Sequence, residues 1–438
     1  MKTPTTFELF ATIIFALAIV HTLLSTLIFE WSRSLASRRV EGTRNWKYYH
    51  FFSELTYLLS EVEVIFGFWI LPIFGWFIAH RGWGTFVDYI NARDFTAAYY
   101  IMVIVVVIAS RPIVTFVERV MEWIARLGKD TPGAWWWTIL TIGPLLGSLI
   151  KEPGAMTICA LLLAAKFYHY NPPKSFQYAT MGLLFANISV GGMLSSFSSR
   201  ALFFVAKDWE WSSWDLMRMF GWKAVVGILI ANASYYFIFR KGFVENFPEK
   251  IPALEKEESK RPTPFWITLI HILFVAAIVF TGESRTLFLG VFLIFLAFHR
   301  ATSFYQGKLH LKAAILVAFF FASLIIHGEL QGWWIIPLIK NTSNFATAVI
   351  SFVLSAFADN ATLGYLVVDI PNLEHIERYL IVAGYMAAGG LTVIANAPNP
   401  IGLSILRPAF KGHVSFFKFF MGALPPSLLY FFIFWILK

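Results

Sequence analysis

The sequence predicts an all-α membrane protein with about ten transmembrane helices and two re-entrant hairpins, arranged as two inverted-topology repeats with broken helices. Three observations carry this expectation. Apolar residues make up 58% of the 438 residues and charged residues only 14%, against roughly 25% charged in a soluble domain. Apolar runs at 12–20, 97–109 and 313–326, relieved only by Thr12 and Ser323, sit inside longer stretches of about 20 residues, enough for a helix to cross ~30 Å of hydrocarbon. Finally, one order of long spans, short arms and interrupted segments occurs twice along the chain.

The first half opens with three spans near 6–29, 51–79 and 97–118. The first of these lacks a basic leader and a small-residue cleavage signal, so it reads as a retained helix. Two short arms follow, 134–150 and 154–168, interrupted at Lys151-Glu152-Pro153-Gly154. A segment at 176–205, broken around Ser189 to Ser199, and a span at 221–239 complete the half. Residues 241–264 change character, with Lys241, Lys250, Lys256, Lys260 and Arg261 among acids and prolines; that is a solvated linker. It divides a first membrane unit, 1–240, from a second, 265–438. The second unit repeats the order: spans near 265–280, 286–299 and 313–327, arms at 333–350 and 361–370, a broken segment at 378–405, and a last span at 415–437.

Charge orients this map. Loop 31–49 carries Arg33, Arg38, Arg39, Arg44 and Lys47, whereas loop 80–96 has only Arg81 and Arg93. The positive-inside bias makes the first loop cytoplasmic. Counting crossings onward puts the 241–264 linker, loop 300–312 and loop 406–414 inside, all with basic residues, and the acidic loop 369–377 outside. The first pair of short arms then enters from the cytoplasm and the second pair from outside. Inverted repeats of this kind place substrate and ion sites near the midplane, at interrupted helices. The net charge of +9 is therefore topological, and nucleic acid is not an expected partner. The single Cys159 excludes a disulfide framework.

The interruptions hold the candidate chemistry. Glu152 and Asp359 each stand next to a helix breaker, and Gly-Gly segments follow at Gly191-Gly192 and Gly389-Gly390. These positions pair the halves: Glu152 with Asp359, Gly191 with Gly389. Around them lie Asn360, Thr362, Asn396 and Asn399 as candidate cation and proton ligands. Asn187, Ser189, Gly191, Gly192, Ser195, Gly389, Gly390 and Thr392 are candidates to line a substrate path, although small residues also let helices pack closely. Broken helices expose carbonyl and hydroxyl oxygens, which are hard ligands for sodium. A buried carboxylate can hold a cation or a proton but not both easily, which is the simplest basis for exchange. Glu54 and Glu61 fall on one face of the second span, with Glu63 on another; they read either as a proton relay or as structural pairs with a basic residue such as Arg111.

The pattern Ser355-x-x-x-Asp359-Asn360-Ala361-Thr362, with Ala397-Pro398-Asn399-Pro400 behind it, resembles the hairpin-type ion-transporter superfamily of inverted-repeat carriers. Within it the chain looks most like the bacterial sodium/proton antiporters of about this length. Lys151-Glu152-Pro153 departs from the usual Asn-Thr tip. The resemblance implies a secondary transporter exchanging sodium for protons at midplane carboxylates by alternating access. It implies no cofactor and no metal beyond the transported cation, a multi-pass location in the bacterial inner membrane, and lipid and a small inorganic cation as partners, with a homodimer allowed. A sodium- or proton-coupled carrier of a small anion or organic acid is the second reading. An enzyme is not expected: no His-Glu-x-x-His, Gly-x-Ser-x-Gly or Walker loop occurs.

Overall fold

The computed structural model describes residues 4–39, 41, 45–252, 262–340 and 342–438, and regular structure there is helical throughout. Arg44 and residues 253–261 of the expected linker lie outside the described residues. Among the described residues six helices are long and apolar enough to cross a membrane: α1 (Thr6–Ser37), α3 (Val62–Arg81), α7 (Pro132–Ile150), the continuous run Ser213–Asn246 that ends in α12 (Trp222–Asn246), α15 (Leu311–Glu329) and α21 (Phe416–Ile436). Helices α4 (Trp83–Asn91) and α5 (Thr96–Ile108) pass the same test together, bent by 57°.

Two expected spans and one expected arm are not continuous. Residues 51–79 divide into α2 (Trp46–Ser60) and α3 because Glu61 adopts extended backbone, φ −79° and ψ 117°. Residues 97–118 divide into α5 and α6 (Arg111–Ala125), where Ser110 is extended and Pro112 sits in the first turn of the new helix. Proline lacks an N–H, so that position suits it. The arm 333–350 divides into α16 (Gly332–Ile339) and α17 (Asn344–Ser355), the latter capped by the Ser343 hydroxyl.

The helices form two packed groups. In the frame, α1 lies on α2 and α3, while α3 and α5 both pack on α15; α13 (Phe265–Phe280) pairs with α14 (Arg285–Ala301). The other group holds the short arms. Here α7 packs on α9 (Lys174–Gly191), α17 on α19 (His375–Ala388), and α21 on α9. Two further contacts are reciprocal: α10 (Arg200–Asp208) lies on α18 (Asn360–Val368), and α20 (Asn399–Leu406) lies on α8 (Glu152–Lys166). Small residues make these contacts close. A Cβ on Gly182 would lie 2.3 Å from the Gly422 backbone, one on Gly364 2.7 Å from Ala201 O, and one on Gly390 2.3 Å from Ala186 N. Membrane helices associate through such backbone approach, since lipid provides no hydrophobic drive.

Candidate functional site

Two helix–tip–helix elements and two unwound segments meet in the middle of the second group. At the first tip, α7 ends at Ile150, Lys151 takes φ 65° and ψ 152°, and α8 begins at once. At the second, α17 ends at Ser355 and Asp359 caps α18. The unwound segments run from Gly192 to Ser199, between α9 and α10, and from Gly389 to Pro398, between α19 and α20. Backbone groups freed inside a membrane need internal partners. The Asn399 amide supplies two of them, donating at 2.7 Å to both Gly389 O and Thr392 O.

Each tip is tied to the unwound segment of its own half by the same bonds. Glu152 N–H donates to Ser198 O and Asn360 N–H to Ala395 O, both at 3.0 Å. The Ser195 hydroxyl donates to Ser148 O and the Thr392 hydroxyl to Ala356 O, both at 2.8 Å. A Cβ on Gly192 would meet Glu152, and one on Gly389 would meet Asn360. All these pairings share one register, in which Glu152 corresponds to Asn360, Lys151 to Asp359, and Gly192 to Gly389. The sequence pairing of Glu152 with Asp359 and of Gly191 with Gly389 is therefore one residue out. The broken helices cross where the Ser189 hydroxyl donates to Met386 O at 2.7 Å.

The two carboxylates are buried, Glu152 at 1% and Asp359 at 3% exposure. Glu152 Oε2 accepts from the Asn396 amide of the other half at 2.9 Å. Asp359 Oδ2 accepts from the N–H groups of Ala361 at 2.9 Å and Thr362 at 3.4 Å. Among the described residues the second oxygen of each, Glu152 Oε1 and Asp359 Oδ1, makes no hydrogen bond of normal geometry, and neither does Asn399 Oδ1; the Ser199 side chain stands near Glu152 and the Ala397 N–H near Asp359. The two acids are close enough for their charges to interact. A cavity of about 50 Å³ touches Glu152, Ser198, Ser199 and Asn396, and one of about 160 Å³ touches Asp359 and Thr362; Ala97, Arg200, Phe321 and Ala361 line both.

Ion pairs fasten this centre to the frame. Lys151 Nζ lies 3.3 Å from Glu283 Oε1 and 4.6 Å from the centre of the Tyr100 ring. Arg200, the first residue of α10, pairs with Glu283 at 2.9 Å and with Asp94. Within the frame, Arg93 pairs with Glu329. Beyond the other end of α20, Arg407 reaches Glu61 at 3.3 Å and Glu63 at 3.8 Å.

A model of the family described as "Putative Na+/H+ antiporter" matches residues 6–437. The chain belongs to that family. It is thus a multi-pass membrane transporter of the cation/proton class and not an enzyme. No curated protein matches the chain.

The antiporter brings Glu152, Asp359, Asn360, Thr362, Asn396, Asn399, Gly192, Gly389, Ser195 and Thr392 to one place, but in different roles. The Asn360 side-chain oxygen Oδ1 accepts from the Ser355 hydroxyl at 2.6 Å, so this side chain braces the tip. Gly191 is pressed on Pro144, and Gly390 is pressed on the α9 backbone at Ala186. Asn187 lies apart: its amide donates to Leu140 O at 2.8 Å and to Asn232 Oδ1 at 2.9 Å, and its oxygen accepts from the Tyr430 hydroxyl. Glu54 is exposed and pairs with Arg39 at 3.1 Å, so it does not meet Glu61. Glu118 pairs with Lys166 at 2.8 Å, a partner the sequence reading did not supply. Sequence reasoning also missed Glu283, Asp94 and Arg407 as partners of the centre. Their one signal was a charge in, or next to, a short connection between apolar runs.

Proposed function

We propose that this antiporter exchanges sodium for protons at Asp359 and Glu152 by alternating access. The observation that carries the reading is the pair of buried carboxylates, each with one oxygen that makes no hydrogen bond of normal geometry among the described residues. An orphaned buried carboxylate oxygen is costly; a proton or a cation removes the cost, and only one of them can occupy a given oxygen. Asp359 is the exchanged acid, Glu152 its partner, and Asn396 couples the halves by holding Glu152 across the centre. Thr362 and the free Asn399 oxygen complete the candidate ligands, while Ser189, Ser195 and Thr392 hold the broken backbone.

In this reading residues 1–240 and 265–438 are inverted repeats joined by a cytoplasmic linker, giving about ten crossings and two re-entrant hairpins in a bacterial inner membrane. The common bonding register of the two tips supports the repeat, and the reciprocal packing of α10 on α18 and α20 on α8 supports its inversion. Alternating access then breaks the Arg200 and Lys151 pairs in one direction and the Arg407 pairs in the other. A small-anion carrier is disfavoured by the same two carboxylates, which would repel its substrate.

The test is a pH-gradient assay in everted membrane vesicles with sodium, potassium and lithium salts, on wild type and Asp359→Asn. Sodium-dependent dissipation that is lost in the variant is the expected result. Full exchange at unchanged apparent sodium affinity in Asp359→Asn would show the assignment to be wrong.

A further inference from the structure

Away from the central site, a groove of about 560 Å³ runs between α9, α12 and α21. Its walls are apolar: Tyr178 and Ala179 from α9, Tyr235 and Phe239 from α12, Met421 and Pro425 from α21. Gly422 lets α21 close on α9 beside it: a Cβ there would lie 2.4 Å from Tyr178 O. Two residues of α21, Pro425 and Pro426, lack the N–H groups that helix geometry would direct at Met421 O and Gly422 O. The Tyr235 hydroxyl donates to Gly422 O at 2.9 Å in compensation, which pins the third wall.

One end of the groove is basic. Lys174 and Lys418 line it, and the ammonium groups of Lys411 and Lys418 lie within electrostatic reach of Lys174. No Asp or Glu pairs with any of the three among the described residues. The rim is also rigid. Lys174 donates to Ala409 O at 3.0 Å and to Gln177 Oε1 at 2.9 Å, and Ser415 N–H donates to the Tyr178 hydroxyl at 2.9 Å. Three ammonium groups gathered around Lys174 without a paired acid, beside an apolar groove between helices, complement one kind of molecule. It has a negative head and a hydrocarbon tail.

We propose that the groove binds an anionic phospholipid, its phosphate among Lys174, Lys411 and Lys418 and one acyl chain between α9, α12 and α21. The charge bias of the loops puts this end at the cytoplasmic surface, where anionic headgroups attract basic residues, each giving a several-fold gain in binding. The inference is independent of which ion the centre carries.

The test uses the full chain in detergent, titrated with phosphatidylglycerol, phosphatidylcholine or inorganic phosphate and followed by thermal unfolding and by lipid retained in native mass spectra. Wild type should retain phosphatidylglycerol in preference to phosphatidylcholine. The combined Lys174→Gln, Lys411→Gln and Lys418→Gln variant should lose that preference by on the order of 100-fold. A control that removes three charges elsewhere on the same side, Arg300→Gln with Lys308→Gln and Lys312→Gln, should keep it. Equal retention of the two lipids, or equal loss in the control, would overturn the site. So would stabilisation by inorganic phosphate alone, or a dimer that covers the groove in pure phosphatidylcholine.

Discussion

Gly192→Ala tests the centre with a single methyl group. The new Cβ would lie 2.5 Å from Glu152 Oε1, 3.0 Å from Glu152 Cγ and 3.1 Å from the Ser198 hydroxyl oxygen. Ordinary contact needs at least about 3.4 Å between a carbon and its neighbour, so the carboxylate must retreat by roughly 1 Å. That shift takes the 2.9 Å bond from Asn396 beyond hydrogen-bonding range. A hydrogen bond to a charged group contributes about 1.5–3 kcal/mol, but the Glu152 carboxylate is the far end of a flexible chain with a cavity beside it. Much of the loss is recovered by relaxation, and unfolding stability should fall by only about 1–2 kcal/mol. The unsatisfied oxygen that defines the site is displaced directly, so a ~1 Å error should lower exchange by roughly 100-fold. Sodium-driven pH-gradient dissipation in vesicles and thermal unfolding in detergent read the two quantities separately. Gly290→Ala, where a Cβ meets nothing within 4 Å, is the control. Wild-type exchange and sodium dependence in Gly192→Ala would refute a role for Glu152 Oε1.

Three further outcomes follow from the same geometry. Ser195→Ala and Thr392→Ala remove hydroxyl bonds of equal length to equivalent tip carbonyls; each should lower thermal stability by about 1–2 kcal/mol, and a neutral result in one alone would break the common register. Lys166→Met weakens the pairing of the fully buried Glu118 and should cost about 3–5 kcal/mol, most of it restored by adding Glu118→Gln; an unchanged melting temperature in the single variant would contradict this. Glu54→Gln touches only an exposed pair with Arg39 and should leave exchange and its pH profile unaltered in the vesicle assay, whereas a shifted profile would reinstate Glu54 as a relay member.

Most of the helix order was legible because the signals are strong and local. The apolar runs, the two tips at Lys151-Glu152 and Asp359-Asn360, and the two Gly-rich breaks all lie where the sequence puts them. What failed depended on single residues or on distant partners. The break at Glu61 arises with no Pro or Gly beside it, and a run such as 51–79 reads as one span without them. Register was misjudged because matching like with like, carboxylate to carboxylate, is a chemical criterion. The fold aligns backbone bonds instead, and these set Lys151 opposite Asp359. Asn187 looked like a ligand by type, yet its partners Leu140, Asn232 and Tyr430 come from three other helices that no local pattern connects to it. The ion pairs of Arg200 and Arg407 were unreadable for the same reason.

The reciprocal seating of α10 on α18 and of α20 on α8 bears on how the chain is made. During synthesis, Glu152 and the α8 helix emerge long before Asn396 and α20, their partners from the far half. Until those arrive, Glu152 lacks its Asn396 donor and α8 lacks the helix that packs on it. The first tip therefore reaches its full set of contacts only once residues 396–406 are in place. Neither half is a finished object on its own, and damage near the C-terminus should be felt at a tip that was translated first.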